Sequence, residues 1–278
     1  MYLLDHFGLK QVPFGITPDT EFIYPSHSHL EGLNLLHFAL TSGEGFVKIV
    51  GEVGTGKTLL CRNFLAELGS EWKAAYLPNP QMEPRDFLRE VADDLGAAGG
   101  EPEAAHVIKR LNRRLLDLAR AGKKVVICID EAQTMPRLTL ESLRLLSNLE
   151  TEKRKLLHIV LFGQPELDTM LDAYSARQLK QRIVFQYRLV KLEAEEIGDY
   201  IEQRLRIAGN TGKPLFEAKA VRALAKASDG TPRLINILAQ KSLLAAFGEG
   251  VKRVEAHHVR AAAEDTEGAV RSMRWWPW

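Results

Sequence analysis

Eight residues, Gly51-Glu52-Val53-Gly54-Thr55-Gly56-Lys57-Thr58, carry the first recognisable chemistry in this chain. They fit the spacing G-x-x-x-x-G-K-[ST], between an apolar stretch, Phe46 to Val50, and a helical one, residues 57 to 68. Glycines at those places let successive backbone N–H groups curl around a phosphate, and the helix that starts there adds its dipole to the same anion site. Lys57 would reach the β- and γ-phosphates and Thr58 would ligate Mg²⁺. The implied ligand is ATP or ADP with Mg²⁺, touched by the loop from Gly51 through Leu59. A fortuitous glycine-rich turn is the alternative unless other motifs agree.

A second motif does agree. Val125-Val126-Ile127-Cys128-Ile129-Asp130-Glu131 places two carboxylates after an apolar run, at the end of a strand where α/β sheets collect ligands. Asp130 is the expected Mg²⁺ holder and Glu131 the group that polarises an attacking water. The same pair could instead open a loop and cap the next helix. Gln164, after the run His158 to Phe162, stands where a γ-phosphate sensor would sit, or in a plain strand-ending turn. Asn79 could hold Glu131 in an inactive pose. Arg182, just before the last strand, is the chosen candidate for a finger acting on a neighbouring subunit's ATP, whereas surface charge explains Arg177 and Arg188 equally well. Gly230-Thr231-Pro232-Arg233 reads as a turn entering a helix, with Arg233 in its first turn and able to contact the γ-phosphate.

These residues need a scaffold, and the hydrophobic pattern supplies one. Strands are predicted at 46–50, 72–77, 125–129, 158–162 and 185–190, separated by helices at 57–68, 84–95, 105–120 and 138–150. Alternating strands and helices mean a parallel α/β sheet. From residue 194 only helical periodicity remains, at 217–227, 232–246 and 255–266. The reading is an N-terminal arm (1–29), an α/β core (30–193), a helical domain (194–268) and an aromatic tail (269–278) containing Trp275, Trp276 and Trp278.

Composition narrows the function classes. Lys+Arg 37 against Asp+Glu 36 gives a net charge of +1, so no whole-protein field draws the chain to nucleic acid or anionic lipid. Cys61 and Cys128 have no partners at metal spacing and read as reduced core thiols of a cytosolic protein. His257 and His258 show no ligand spacing beyond chance. The N-terminus lacks the pattern of a signal peptide, and no apolar run approaches a membrane span.

Taken together, GEVGTGKT, ICIDEAQ, FGQPEL, LKQRI and GTPRLIN resemble, in order and spacing, the AAA+ ATPases. More narrowly, FGLKQVPFGITPDTEFIYPSHSH, ETEKRKLLHIVLFGQPEL and HVRAAAEDTEG are similar to the general secretion pathway protein A and MSHA pilus biogenesis (MshM) family. The resemblance implies a P-loop NTPase of the ASCE type: a three-layer parallel sheet core in strand order 5-1-4-3-2, with a C-terminal all-helical lid and ATP between them. It assigns Gly51, Gly56, Lys57 and Thr58 to the Walker A motif and Asp130 and Glu131 to Walker B. Gln164 becomes sensor 1, Arg182 the finger and Arg233 sensor 2. The arm around Val12, Pro13 and Phe14 would border the adenine. Glutamine is less usual at sensor 1 than asparagine, threonine or serine. Secretion-pathway relatives continue into a transmembrane segment and a peptidoglycan-binding domain, so attachment here would come from a surface or from the tryptophan tail.

The function these expectations favour is ATP hydrolysis that drives a type IV (MSHA-like) pilus or a related secretion machine. The expected partners are further copies of the chain and a component of that machine, with the chain cytoplasmic and peripheral at the inner membrane through that component. One alternative is a DNA-associated ATPase of the transposition-regulator type, which needs a basic surface that only Lys123-Lys124 and Lys153-Arg154-Lys155 begin to supply. Another is a nucleotide-gated scaffold with little turnover.

Overall fold

Strands covered on both faces have no polar side to alternate with, so they read as unbroken apolar runs, and the two such runs here, Val125 to Ile129 and Ile159 to Phe162, lie inside the sheet. The computed structural model describes residues 2–97, 99, 103–146, 149–151, 154–173 and 176–270. Its strands are β1 (Phe46–Gly51), β2 (Trp72–Leu77), β3 (Lys124–Ile129), β4 (Glu150–Thr151), β5 (Arg154–Lys155), β6 (His158–Gly163) and β7 (Ile183–Leu189). Five of them form one parallel sheet in the order β2-β3-β6-β1-β7. Counted by themselves in chain order, they give the expected 5-1-4-3-2.

Alternate residues of each strand feed two separate apolar layers. Val125, Ile127 and Ile129 of β3 join one layer with helices α4 (Pro84–Leu95), α5 (Ala104–Arg120) and α6 (Arg137–Leu146). Val126 and Cys128 join the other with α2 (His27–Thr41) and α3 (Lys57–Glu67). Cys61 and Cys128 are both buried there as free thiols, and burial pushes the Cys61 thiol up, which keeps it unreactive.

Two boundaries differ from expectation. The helix expected over 138–150 ends at Leu146, and β4 pairs antiparallel with β5 in a small ribbon. Two-residue strands contain too few alternations to register as a period. The last strand runs from Ile183 to Leu189, after the short helices α7 (Glu166–Asp172) and α8 (Arg177–Lys180), neither of which spans enough turns to show an apolar face.

Contacts divide the chain into two units, one made of His29–Val53 with Lys57–Leu189, the other of residues up to 28, 54–56 and 190 onward. The second unit holds α1 (Tyr2–Phe7), α9 (Ala194–Ile207), α10 (Ala218–Ser228), α11 (Pro232–Gly248) and α12 (Ala256–Glu264). The N-terminal segment contributes to its core through Phe7, Leu9, Phe14 and Phe22. A buried cation fastens it: Arg204, 6% exposed, donates from Nε to the Pro13 carbonyl at 2.7 Å and from Nη1 to the Phe22 carbonyl at 3.4 Å. Its guanidinium also stacks 4.7 Å from the Phe22 ring centre. Arg204→Ala is expected to lower unfolding free energy by about 2–4 kcal/mol, because two buried carbonyls lose their donor along with the packing of the stem. Denaturant unfolding measures that loss, and limited proteolysis should show faster cleavage between residues 8 and 23. Unchanged proteolysis would mean the segment is held by its phenylalanines alone.

Among the described residues no helix is long and apolar enough to cross a membrane. The tryptophan tail lies outside the described residues, as does Lys153.

Candidate functional site

β1 ends at Gly51, and the chain then turns through Glu52–Gly56 before α3 starts at Lys57. Two of the turning residues have left-handed backbones, Gly54 with φ 83° and Gly56 with φ 96°, conformations that disfavour any side chain. Gly54 has a second constraint within its own unit: a Cβ there would lie 2.7 Å from the Cβ of Arg233. The Arg233 N–H donates to the Gly54 carbonyl at 3.3 Å, and the Arg233 residue is exposed. Its helix begins as the motif Gly230-Thr231-Pro232 suggests. Gly230 takes φ 68° where a Cβ would strike the Leu192 carbonyl at 2.2 Å, and Pro232 occupies the first turn of α11.

Lys57 is buried, with Nζ donating to the carbonyls of Gly51 at 2.8 Å and Glu52 at 3.0 Å. Burial lowers its pKa against the opposing pull of Glu131, Asp130, Glu52 and Glu166. The next residue, Thr58, donates its hydroxyl to Asp130 Oδ2 at 2.6 Å, across 72 residues of sequence. Asp130 is 2% exposed, and burial raises its carboxyl pKa although the Thr58 hydroxyl and the Glu131 N–H both favour the ionised form. A threonine oxygen and a carboxylate oxygen side by side are hard donors of the kind that hold Mg²⁺.

Glu131 has φ 50°, one of two described non-glycine residues with positive φ, and such strain concentrates at working sites. Its Oε2 accepts from Gln133 Nε2 at 2.6 Å and from Gln164 Nε2 at 3.0 Å. Gln133 Oε1 in turn accepts the Gln164 backbone N–H at 2.9 Å. Gln133, which the sequence reading had not singled out, thus bridges the two. Its one sequence signal is its place two residues after Glu131 in the 3₁₀ turn Ala132–Thr134. Asn79 instead closes a local turn, its Oδ1 accepting the Gln81 N–H at 3.3 Å.

Val53 is exposed and Thr55 buried, while Leu59 is half-buried on the first turn of α3. Phe14 is 2% exposed and packs edge-on against Phe216, so its ring belongs to the core of the helical unit, whereas Val12 is half exposed. Arg182 is not among the side chains gathered near the phosphate loop. It immediately precedes β7, whose parallel pairing sets Ile183 beside Phe46 and Leu189 beside Gly51. Arg182 therefore sits at the opposite end of the strands from Gly51, a strand length of about 17 Å away. Arg188 lies nearer the loop end, and its Nη2 donates to Asp168 Oδ2 at 2.8 Å.

A separate cluster joins Glu249, His257 and His258. The Glu255 N–H donates to His258 Nδ1 at 2.9 Å, which leaves the ring proton on Nε2, 3.1 Å from Glu249. Nδ1 is thus the capping acceptor at the first turn of α12, while Nε2 lies near the carboxylate without hydrogen-bond geometry.

Residues 40–171 match the AAA domain family. Over 270 residues, 97% of the chain, the sequence is 40% identical to general secretion pathway protein A of Aeromonas hydrophila, and it spans about half of that relative, 49%. Among solved structures it is similar to the Aeropyrum pernix ORC2 protein in its ADPNP-ADP complexes, with TM-score 0.66 and 18% identity over 92% of this chain and 73% of that one. The Thermotoga maritima RuvB Holliday junction branch migration motor gives TM-score 0.59 and 19% identity over 92% of this chain and 73% of its own. At such identities the structural likeness speaks to the fold alone.

Proposed function

We propose that the chain is an AAA+ ATPase related to general secretion pathway protein A, and that it binds ATP with Mg²⁺ and hydrolyses it to drive the assembly or operation of a type IV pilus or a related secretion machine. The observation that carries this reading is the continuous hydrogen-bonded path from Thr58 through Asp130 to Glu131 beside the phosphate loop. In the proposed reaction the N–H groups of Gly51–Gly56 and the Lys57 ammonium hold the phosphates, and Val12 borders the base. Thr58 and Asp130 would hold Mg²⁺, which would supply positive charge against the phosphates. Glu131 orients and polarises the attacking water, and Gln164 follows the γ-phosphate. Arg233 reports the nucleotide state to the helical domain, and Arg182 completes the site of a neighbouring copy. The relative's printed name supports a secretion-pathway role. In this proposal the chain works at the cytoplasmic face of the inner membrane, held there by a partner.

Turnover against protein concentration, with size measured in parallel, tests the proposal. Specific activity is expected to climb with concentration as a larger species forms with ATP. Glu131→Gln should keep ATP affinity while losing on the order of 10²-fold or more in turnover. ATP binding without turnover at any concentration, alone or with envelope components, would return the protein to the role of a scaffold.

A further inference from the structure

We infer that Gln133 is a positioning residue for hydrolysis, coupling the γ-phosphate sensor Gln164 to the water-activating Glu131. The inference rests on the ATPase reading and adds to it a residue and a direction of coupling.

Gln133 uses both ends of its amide on the two residues concerned. The Nε2 group holds Glu131 Oε2 at 2.6 Å, and the Oε1 atom takes the backbone N–H of Gln164 at 2.9 Å. Gln164 closes the ring by donating its own Nε2 to the same Glu131 oxygen at 3.0 Å. Two amide donors on one oxygen fix the direction of the carboxylate and leave Oε1 as the oxygen whose lone pairs they do not engage. Of the two donors, Gln133 lies in the same turn as Glu131 and stays with it. Gln164 leaves the end of β6 and can exchange Glu131 for another acceptor, such as a phosphate oxygen.

The local backbone is shaped for this bridge. A Cβ at Gly163 would meet Gln133 Oε1 at 3.1 Å and Leu167 Cδ2 at 2.7 Å, so the residue before Gln164 is one that lets the amide lie against the strand end. The Glu131 backbone is left-handed, with φ 50° and ψ 38°, and the Thr134 hydroxyl and N–H both return to its carbonyl at 2.8 Å. Backbone strain and a three-member amide–carboxylate ring together hold the carboxylate in one place. When Gln164 turns to a phosphate, Gln133 keeps Glu131 oriented and transmits the shift of the Gln164 backbone to it.

The test uses the full chain with Gln133→Glu and Gln133→Leu. The glutamate variant is isosteric and keeps an acceptor for the Gln164 N–H, but it has no donor for Glu131 and adds a like charge. Both variants are expected to lose roughly 10–100-fold in kcat with KM and ATP affinity held. In a double-mutant cycle, Gln164→Leu should cost less in the Gln133→Leu background than in the native one, because the two amides act as a unit. Native-like kcat in Gln133→Glu would overturn the inference. So would a loss of ATP affinity in step with kcat, or costs that simply add. A native protein with no turnover would fail the ATPase reading first, a result distinct from any of these.

Discussion

Arg182→Ala is expected to leave ATP affinity at the native value and to cut turnover on the order of 10³-fold, the scale of a lost arginine finger. The reason is the place of the residue on the sheet. Parallel pairing of β7 with β1 runs from Ile183 beside Phe46 to Leu189 beside Gly51, so the chain enters β7 at the end of the strands opposite Gly51. A guanidinium reaches about 7 Å from its backbone, well short of a strand length of about 17 Å, so Arg182 cannot serve its own nucleotide. A head-to-tail neighbour can bring that end to another copy's loop, and such heterologous contacts generate rings or filaments. Mixing supplies the decisive measurement. Arg182→Ala copies retain Glu131, and Glu131→Gln copies retain the finger, so an equal mixture of two inactive proteins should regain roughly a quarter of native turnover at randomly formed interfaces. No recovery in mixtures that demonstrably co-assemble would remove the trans role, and unchanged turnover in Arg182→Ala alone would remove the finger.

The sheet was legible because its strands are short, mostly apolar segments, unbroken at Val125 to Ile129 and Ile159 to Phe162, separated by helical periodicity, a pattern that survives without any knowledge of contacts. Strand order needed the resemblance, since periodicity alone does not say which run lies beside which. The phosphate loop was legible because its glycines answer a local backbone demand, visible in the positive φ of Gly54 and Gly56. What resisted reading is long-range. Arg204 looks like one more charge on a helix, yet it is buried against the carbonyl of Pro13, 191 residues away. The same packing takes Phe14 into a core where a turn-rich segment reads as an extended arm. Gln133 escaped notice for a related reason: its role is defined by Gln164, 31 residues later, and an amide in a turn has no pattern of its own. The site residues were thus recoverable as types and spacings, whereas the bonds among them were not.

Lys57→Met is expected to stabilise the nucleotide-free protein and to abolish its response to ATP. The lysine is 5% exposed, and its ammonium rests on two backbone carbonyls. Burial holds its pKa below the reference 10.5, which means that folding works against the charge. The sign follows from linkage. The unfolded lysine binds its proton more tightly than the folded one, so the penalty is fully present below the folded-state pKa and is relieved as pH climbs from there toward 10.5. At neutral pH a methionine of similar length removes the penalty, with an expected gain of about 1 kcal/mol or more, a rise of ~2–4 °C in thermal midpoint. Native protein should gain about 2.7 kcal/mol more when ATP with Mg²⁺ is raised to 100 times its Kd, and the variant nothing. Thermal unfolding with and without nucleotide measures both effects in one experiment. A variant less stable than the native chain would mean that the ammonium is a net support of the loop. If nucleotide still stabilised the variant, the phosphates would be held by backbone N–H groups without Lys57. The expected pair of results, stability up and binding lost, is what a buried cation retained for an anionic ligand produces.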